Sequence, residues 1–110
     1  MFKKSERLNR TAFTKYFKIG RRFQTDHFTL IYSPAPLRAA AVVVGKKVFK
    51  QAVDRNALRR RVYAAARSFL DGETLSGIYI IISKPTAKNL SQAEIAPEIK
   101  SLLALSDKPR

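Results

Sequence analysis

The chain has 110 residues and carries 22 Lys and Arg against 8 Asp and Glu, which gives a formal net charge of +14. This length is typical of a single domain, so we expect residues 1–110 to form one folding unit. Hydrophobic residues make up 45% of the chain, which argues against an intrinsically disordered protein. A positive charge of this size opposes compaction and predicts a polyanionic partner.

Several classes of protein are excluded by what the sequence lacks. There is no cysteine, so disulfides, thiolate metal sites and cysteine nucleophiles are ruled out. The first seven residues are mostly charged or polar, which predicts no signal peptide. The longest apolar run, residues 39–44, is too short to span a membrane. We therefore expect a cytoplasmic protein.

The positive charge is concentrated in two segments. Residues 1–22 carry eight basic side chains and one acid, and residues 38–67 carry nine basic side chains and one acid. Residues 23–37 carry one acid and no Lys or Arg, and residues 68–110 carry five side chains of each sign. This distribution predicts a basic face or cleft rather than a uniformly basic surface.

The first predicted element is a helix from about Arg10 to Ile19. Asn9 is a suitable N-cap residue, and Gly20 predicts a left-handed residue that ends the helix. Aromatic residues recur at helical spacing and form one face, which consists of Phe13, Tyr16 and Phe17.

Two strands are predicted to follow. Residues 23–32 alternate, with Phe28, Leu30 and Tyr32 on one face, which predicts a strand with one buried side. Residues 38–48 are apolar and β-branched through residues 42–44, before Gly45, Lys46 and Lys47 end the run, which favours a central strand. We expect these two strands to form a hairpin.

The second half predicts a long helix, a strand and a final helix. The long helix runs from about Gln51 to Leu70, and residues 77–83 form a buried strand. Ser91 and Glu94 have the spacing of a capping box, and Pro97 predicts a kink or a late start of the last helix. The apolar stripe of the long helix consists of Leu58, Val62, Ala65 and Phe69.

These elements predict an α+β fold. The predicted order of elements is α-β-β-α-β-α. We expect a two-layer sandwich in which about three helices pack mainly on one side of a small mixed sheet, and one additional short strand is compatible with it. The unit spanning residues 38–83 would place two strands in parallel, and base rates favour a right-handed crossover.

The long helix is rich in arginine opposite its apolar stripe. This face consists of Asn56, Arg60, Tyr63 and Arg67, with Arg59 and Arg61 on its flanks. No acid lies between Asp54 and Asp71, so the face lacks the Glu partners typical of a solvated helix surface. Because a guanidinium group binds phosphate through two parallel hydrogen bonds and stacks on bases, the pattern favours contact with a nucleic-acid backbone.

A longer pattern surrounds this face. It consists of Phe49, Ala52, Arg55, Asn56, Leu58, Arg59, Arg60 and Val62, preceded by Lys46 and Lys47 and, in the first helix, by Phe13, Phe17 and Gly20. The pattern resembles the bacterial ribonuclease P protein family, and the resemblance covers roughly residues 7–104. Two positions depart from it: the family usually has a basic or polar residue at Ala57 and Arg or Lys at Tyr63.

The resemblance implies a fold detail and roles for individual residues. The strand–helix–strand crossover would be left-handed. The RNA-binding set would be Lys46, Lys47, Arg55, Asn56, Arg59, Arg60, Arg61 and Arg67. A cleft between the sheet and the first helix would hold the 5′ leader of precursor tRNA, and the residues that we assign to it are Phe13, Phe17 and Tyr32.

The sequence predicts no catalytic residue in the protein itself. Its eight acids are scattered, and His27 has no partner at metal-ligand spacing, so we expect His27 to pack or lie at the surface. The resemblance implies a subunit of a tRNA 5′-maturing endonuclease whose catalysis resides in the RNA. Its partners would be ribonuclease P RNA and precursor tRNA, and Mg²⁺ would be held mainly by RNA phosphates, with no organic cofactor.

Composition alone leaves other functions open. A ribosomal-type RNA-binding protein without a catalytic assembly fits the charge pattern equally well. A DNA-binding helix would need a preceding helix at helix-turn-helix distance, whereas strands precede this one, so we expect no DNA partner. A membrane-surface helix would need a bulkier apolar face, so we expect no membrane partner. Core packing is the alternative role for Phe13 and Phe17, and ordinary strand-end charge is the alternative for Lys46 and Lys47.

Overall fold

The structure of the protein, a computed structural model, describes residues 8–35, 38–71 and 77–107. It confirms the α+β class and adds one short strand. The elements in chain order are α1 (Arg10–Ile19), β1 (Arg21–Gln24), β2 (Phe28–Ser33), β3 (Arg38–Val43), α2 (Ala52–Asp71), β4 (Gly77–Ser83), a 3-10 helix (Pro85–Asn89) and α3 (Gln92–Asp107).

The four strands form one mixed sheet in the order β1-β2-β4-β3. The β1–β2 and β2–β4 pairs are antiparallel, and β3 pairs with β4 in parallel. Two expectations were therefore wrong: β2 and β3 do not form a hairpin, and β3 is an edge strand. The reason is β4, which is apolar on both faces and has six of its seven residues buried, so it occupies the interior position.

The segment predicted as one strand over residues 23–32 is instead the hairpin of β1 and β2. The turn between them is closed by the Thr25 N–H, which donates to the Phe28 carbonyl at 2.9 Å. Residues 24–27 are all polar and Phe23 is out of phase with Phe28, so the sequence contains a turn signal that the prediction of a single strand overlooked.

Helix α1 begins as predicted but ends for a different reason. The Asn9 side chain accepts a hydrogen bond from the Ala12 N–H at 2.8 Å. Gly20 is extended, with φ −70° and ψ 157°, and not left-handed. A Cβ at Gly20 would overlap Ile31 Cγ2 and lie 2.8 Å from the Tyr16 carbonyl oxygen. Glycine is needed here because the helix end approaches β2 closely.

The sheet has a helix layer on each face. Helices α2 and α3 pack on one face and bury the main core, which includes Phe28, Leu30, Tyr79, Ile81, Leu58, Val62, Ile95, Ile99 and Leu102. Helix α1 lies on the other face over a smaller cluster formed by Ile31, Ala39, Ile78 and Ile80. No residue of α1 is fully buried, so this helix covers its face only in part.

Helix α3 has the predicted cap. The backbone N–H and the hydroxyl of Ser91 both donate to Glu94 Oε1 at 3.0 Å, and these bonds hold the pKa of Glu94 below its ordinary value. The helix begins at Gln92 and continues past Pro97, so a late start at Pro97 was wrong. The exposed proline costs the helix one backbone bond without ending it.

Helix α2 connects the parallel neighbours β3 and β4, which confirms the predicted strand–helix–strand unit. The left-handed sense of this crossover stays a prediction. None of the helices in the described ranges is long and apolar enough to cross a membrane.

Candidate nucleic-acid interface

Helix α2 directs its two patterns in opposite directions, as the spacing predicts. Leu58 and Val62 of the apolar stripe are buried against the sheet. Asn56, Arg60 and Arg61 are exposed, and Arg67 is half-buried. The structure thus places the predicted arginine-rich residues on the outer side of α2. We define the Arg-Asn face as Asn56, Arg59, Arg60, Arg61 and Arg67.

Two residues of the Arg-Asn face are held together. Arg59 Nη1 donates a hydrogen bond to Asn56 Oδ1 across one turn of the helix. Arg59, Arg60 and Arg61 make no ion pair with any carboxylate in the described ranges. These three guanidinium groups are therefore not neutralised by the described carboxylates and can bind an anionic partner.

Arg55 has a structural contact that the sequence did not predict. Its Nη1 donates to the carbonyl oxygens of Phe49 at 3.1 Å and Lys50 at 2.7 Å. The side chain is half-buried and fixes the loop between β3 and α2. Lys46 and Lys47 are exposed in the same loop, so they lie next to the N-terminal turn of α2.

Tyr63 packs against the sheet edge. Its hydroxyl accepts a hydrogen bond from the Val42 N–H of β3 at 3.3 Å. This contact turns Tyr63 toward the edge strand, so Tyr63 does not lie on the outer side of α2 with the arginines, which corrects its placement on the predicted face.

The aromatic face of α1 lies on the other side of the sheet. The rings of Phe13 and Phe17 stack with centroids 5.7 Å apart and an interplanar angle of 27°. Both are half-buried against the cluster around Ile31, and the Arg22 guanidinium carbon lies 5.1 Å from the centre of the Phe17 ring. Each ring therefore combines a packing role with an accessible portion, and the Phe17 ring also lies beside a positive charge.

The sheet surface beside these rings is only partly covered, and we call it the cleft beside α1. Helix α1 lies mainly over β2 and β4, and the neighbouring strand β3 presents only Ala39, Ala41 and Val43 on this face. Ala41 and Val43 are half-buried. Because these side chains are small, they form a low surface between α1 and the free edge of β3.

Tyr32 does not belong to this cleft, which corrects its assignment. It packs in the main core on the opposite face, with its ring centroid 5.1 Å from that of Tyr79. Successive residues of a strand point to opposite faces, and Ile31 is the residue of this pair that faces α1. The structure brings Phe13 and Phe17 together but separates Tyr32 from them.

A polar cluster that the sequence did not reveal ties the β1–β2 turn to α3. Glu98 Oε2 accepts from Thr25 Oγ1 at 2.6 Å and from the His27 N–H at 2.8 Å, and Oε1 lies 2.7 Å from His27 Nδ1. Burial raises the pKa of Glu98, but the hydrogen bonds from Thr25 and His27 outweigh it and hold the pKa below its ordinary value. His27 thus has a packing role, with a partner 71 residues away in sequence.

Metal ligands are not grouped in the part of the chain that the structure describes. No three acidic or histidine side chains there are placed to hold an ion together.

Comparisons with known proteins agree on one family. A family model described as Ribonuclease P matches residues 2–106. The ribonuclease P protein component of Microcystis aeruginosa is 32% identical over 102 residues, covering 86% of this chain and 84% of that protein. The solved RNase P protein of Staphylococcus aureus has a TM-score of 0.83 at 20% identity, covering 94% of this chain and 96% of that one. The protein from Thermotoga maritima has a TM-score of 0.71 at 22% identity, covering 87% and 96%.

Proposed function

Because this chain belongs to the ribonuclease P protein family, we propose that it binds the catalytic RNA and the 5′ leader of precursor tRNA, and so assists endonucleolytic 5′-end maturation. Family membership makes it the protein subunit of a ribonuclease with an RNA partner. The observation that supports the proposal most directly is the Arg-Asn face of α2, which lies on the outer side of the helix. Within this face, Arg59, Arg60 and Arg61 form no ion pair with a described carboxylate.

The Arg-Asn face is assigned to the catalytic RNA. A folded RNA presents phosphate groups at fixed spacings, and guanidinium groups on one helix face can bind several of them at once. The bond from Arg59 to Asn56 lowers the entropy lost on binding because it already restrains one of these side chains.

The cleft beside α1 is assigned to the single-stranded leader. Aromatic rings bind unpaired bases by stacking, and nearby basic groups follow the backbone. Phe13 and Phe17 would supply the stacking surface, and Arg22 the charge. Because mature tRNA lacks the leader, this cleft would favour precursor over product.

Hydrolysis is assigned to the RNA. The described residues do not fit as ligands of Mg²⁺, so we place the ion mainly on RNA phosphates and assign no reaction step to the protein. The basic surfaces of the protein would lower the electrostatic cost of bringing those phosphates together. We place this activity in the cytoplasm.

Reconstitution tests the proposal. A bacterial ribonuclease P RNA and a precursor tRNA are mixed with or without the protein at limiting Mg²⁺, and mature 5′ ends are measured over time. The protein should accelerate their appearance, and Lys100→Ala, which changes an exposed lysine on α3, should act like the wild type. Equal rates with and without protein would overturn the proposal and favour the alternative of an RNA-binding protein without a catalytic assembly.

A further inference from the structure

A second basic concavity lies where the β3–α2 loop meets the 3-10 helix. It has a volume of about 520 Å³, and four lysines line it, Lys46, Lys47, Lys50 and Lys88. We call this concavity the lysine pocket. Lys88 comes from a separate part of the chain and had no role in the sequence-based assignments.

The fold fixes both walls of the lysine pocket. On one side, Ala87 is fully buried and anchors the 3-10 helix, which leaves the neighbouring Lys88 exposed. Lys88 Nζ lies 5.8 Å from the centre of the Phe49 ring on the other side. That side is held by Arg55, which donates to the carbonyl oxygens of Phe49 and Lys50. The two walls of the lysine pocket are therefore held in place by contacts within the fold.

The charge in the lysine pocket is unbalanced. Asp54 is the acid among its lining residues, and none of the four lysines forms an ion pair with a described carboxylate. Four ammonium groups around one concavity repel each other unless an anion enters. Lysine binds phosphate as a strongly hydrated point charge, so the lysine pocket suits a phosphodiester group.

The position of the lysine pocket identifies the source of the phosphate. Asp54 lines the lysine pocket, and Arg61 of the Arg-Asn face follows seven residues further along α2. Seven residues make almost two full turns and span about 10 Å, so Asp54 and Arg61 share one side of the helix and one polyanion can reach both surfaces. We propose that the lysine pocket binds the phosphate backbone of the same RNA that contacts the Arg-Asn face, with Lys88 as a phosphate-binding residue. The RNA partner rests on the proposed function.

Salt dependence of RNA binding tests Lys88. The full-length protein is titrated with a bacterial ribonuclease P RNA transcript over a series of KCl concentrations, and the slope of log affinity against log salt is measured. Lys88→Gln should reduce the slope by about 0.7–0.9, the value for one lost phosphate contact. Lys88→Arg, which keeps the charge, and Lys100→Gln, on α3, should keep the wild-type slope.

The possible results separate the two proposals. A Lys88→Gln slope equal to that of Lys100→Gln, with wild-type protein still stimulating cleavage, would overturn the lysine pocket alone. A reduced Lys88→Gln slope with no stimulation of cleavage by the wild type would overturn the proposed function but support the lysine pocket as an RNA backbone site. Circular dichroism of each variant confirms that the fold is retained.

Discussion

The hydroxyl of Tyr63 on α2 accepts a hydrogen bond from the backbone N–H of Val42 on β3, at 3.3 Å. Strand β3 is at the end of the sheet, so the backbone groups on its outer edge have no strand partner. An edge of this kind costs free energy when it is desolvated and can pair with another chain. Tyr63 therefore protects the sheet edge at Val42.

Removing this hydroxyl should destabilise the protein. We expect Tyr63→Phe to lower the free energy of unfolding by about 1 kcal/mol, measured by urea denaturation, because the Val42 N–H loses its acceptor. Tyr16→Phe is the matched control, since Tyr16 is also half-buried but its hydroxyl makes no hydrogen bond in the structure. An equal loss in the two variants would show that the bond to Val42 does not contribute.

Changing Arg59 and Arg60 together should weaken RNA binding and flatten its salt dependence. The double Ala variant should lose about 0.7–0.9 of slope for each phosphate contact removed, measured with ribonuclease P RNA over a salt series. The double Lys variant keeps both charges but not the planar fork, so it should bind more weakly than wild type with a nearly unchanged slope. A wild-type slope in the double Ala variant would exclude the Arg-Asn face as the RNA site.

Phe17→Ala should reduce binding of precursor tRNA more than binding of mature tRNA. Loss of one stacked base costs about 1–3 kcal/mol, which is roughly a 5- to 150-fold weaker complex. Ile19→Ala, on the same helix and 61% exposed, is the control and should bind both RNAs as wild type does. Equal losses for the two tRNAs in Phe17→Ala would indicate that the ring acts only in packing.

What the sequence could predict depended on whether the signal was local. The boundaries of α1 and the two faces of α2 follow from caps and helical spacing within one segment, and they agree with the structure except at Tyr63, which packs against the sheet edge. The position of β3 at the edge depended on β4, more than 30 residues later, so the local pattern of β3 alone led to a wrong central placement.

The same limit applies to side chains of the candidate site. Tyr32 is an exception, because its strand pattern already placed it on one face with Phe28 and Leu30, and all three lie at the main core opposite α1. The hydrogen bonds of Arg55 to the preceding loop and of Glu98 to His27 need three-dimensional proximity that no spacing rule provides. The sequence therefore identified the Arg-Asn face but not the contacts that fix the loop and the turn around it.

Gly20 should resist substitution while Gly45 tolerates it. A Cβ at Gly20 would overlap Ile31, so Gly20→Ala should force α1 away from β2 and cost about 1–3 kcal/mol. A Cβ at Gly45 would meet no atom within 4 Å, so Gly45→Ala should be neutral or stabilising by up to about 1 kcal/mol. Thermal unfolding of both variants checks this difference, and similar melting temperatures for the two would contradict the close approach at Gly20.

Glu98 should make the stability of the fold depend on pH below neutrality. Its carboxylate holds the β1–β2 turn through Thr25 and His27, and these bonds keep its pKa below the ordinary value of 4.5. A depressed pKa in the folded state means that the carboxylate stabilises the fold above that ordinary value. This stabilisation is lost as the pH falls through the lower folded pKa.

Glu98→Gln tests this dependence, because the amide has a similar shape but no charge. At pH 7 the variant should be less stable than wild type by about 1–3 kcal/mol, since charge-assisted hydrogen bonds to Thr25 and His27 are weakened. At pH 3 the difference should be smaller, because below the ordinary value of 4.5 the unfolded state binds a proton at this carboxyl more readily than the folded state does. Urea denaturation at pH 7, 5 and 3 measures the gap, with Asp26→Asn as a control that removes an exposed carboxylate from the same turn. A gap that stays constant between pH 7 and pH 3 would show that the charge of Glu98 does not stabilise the turn.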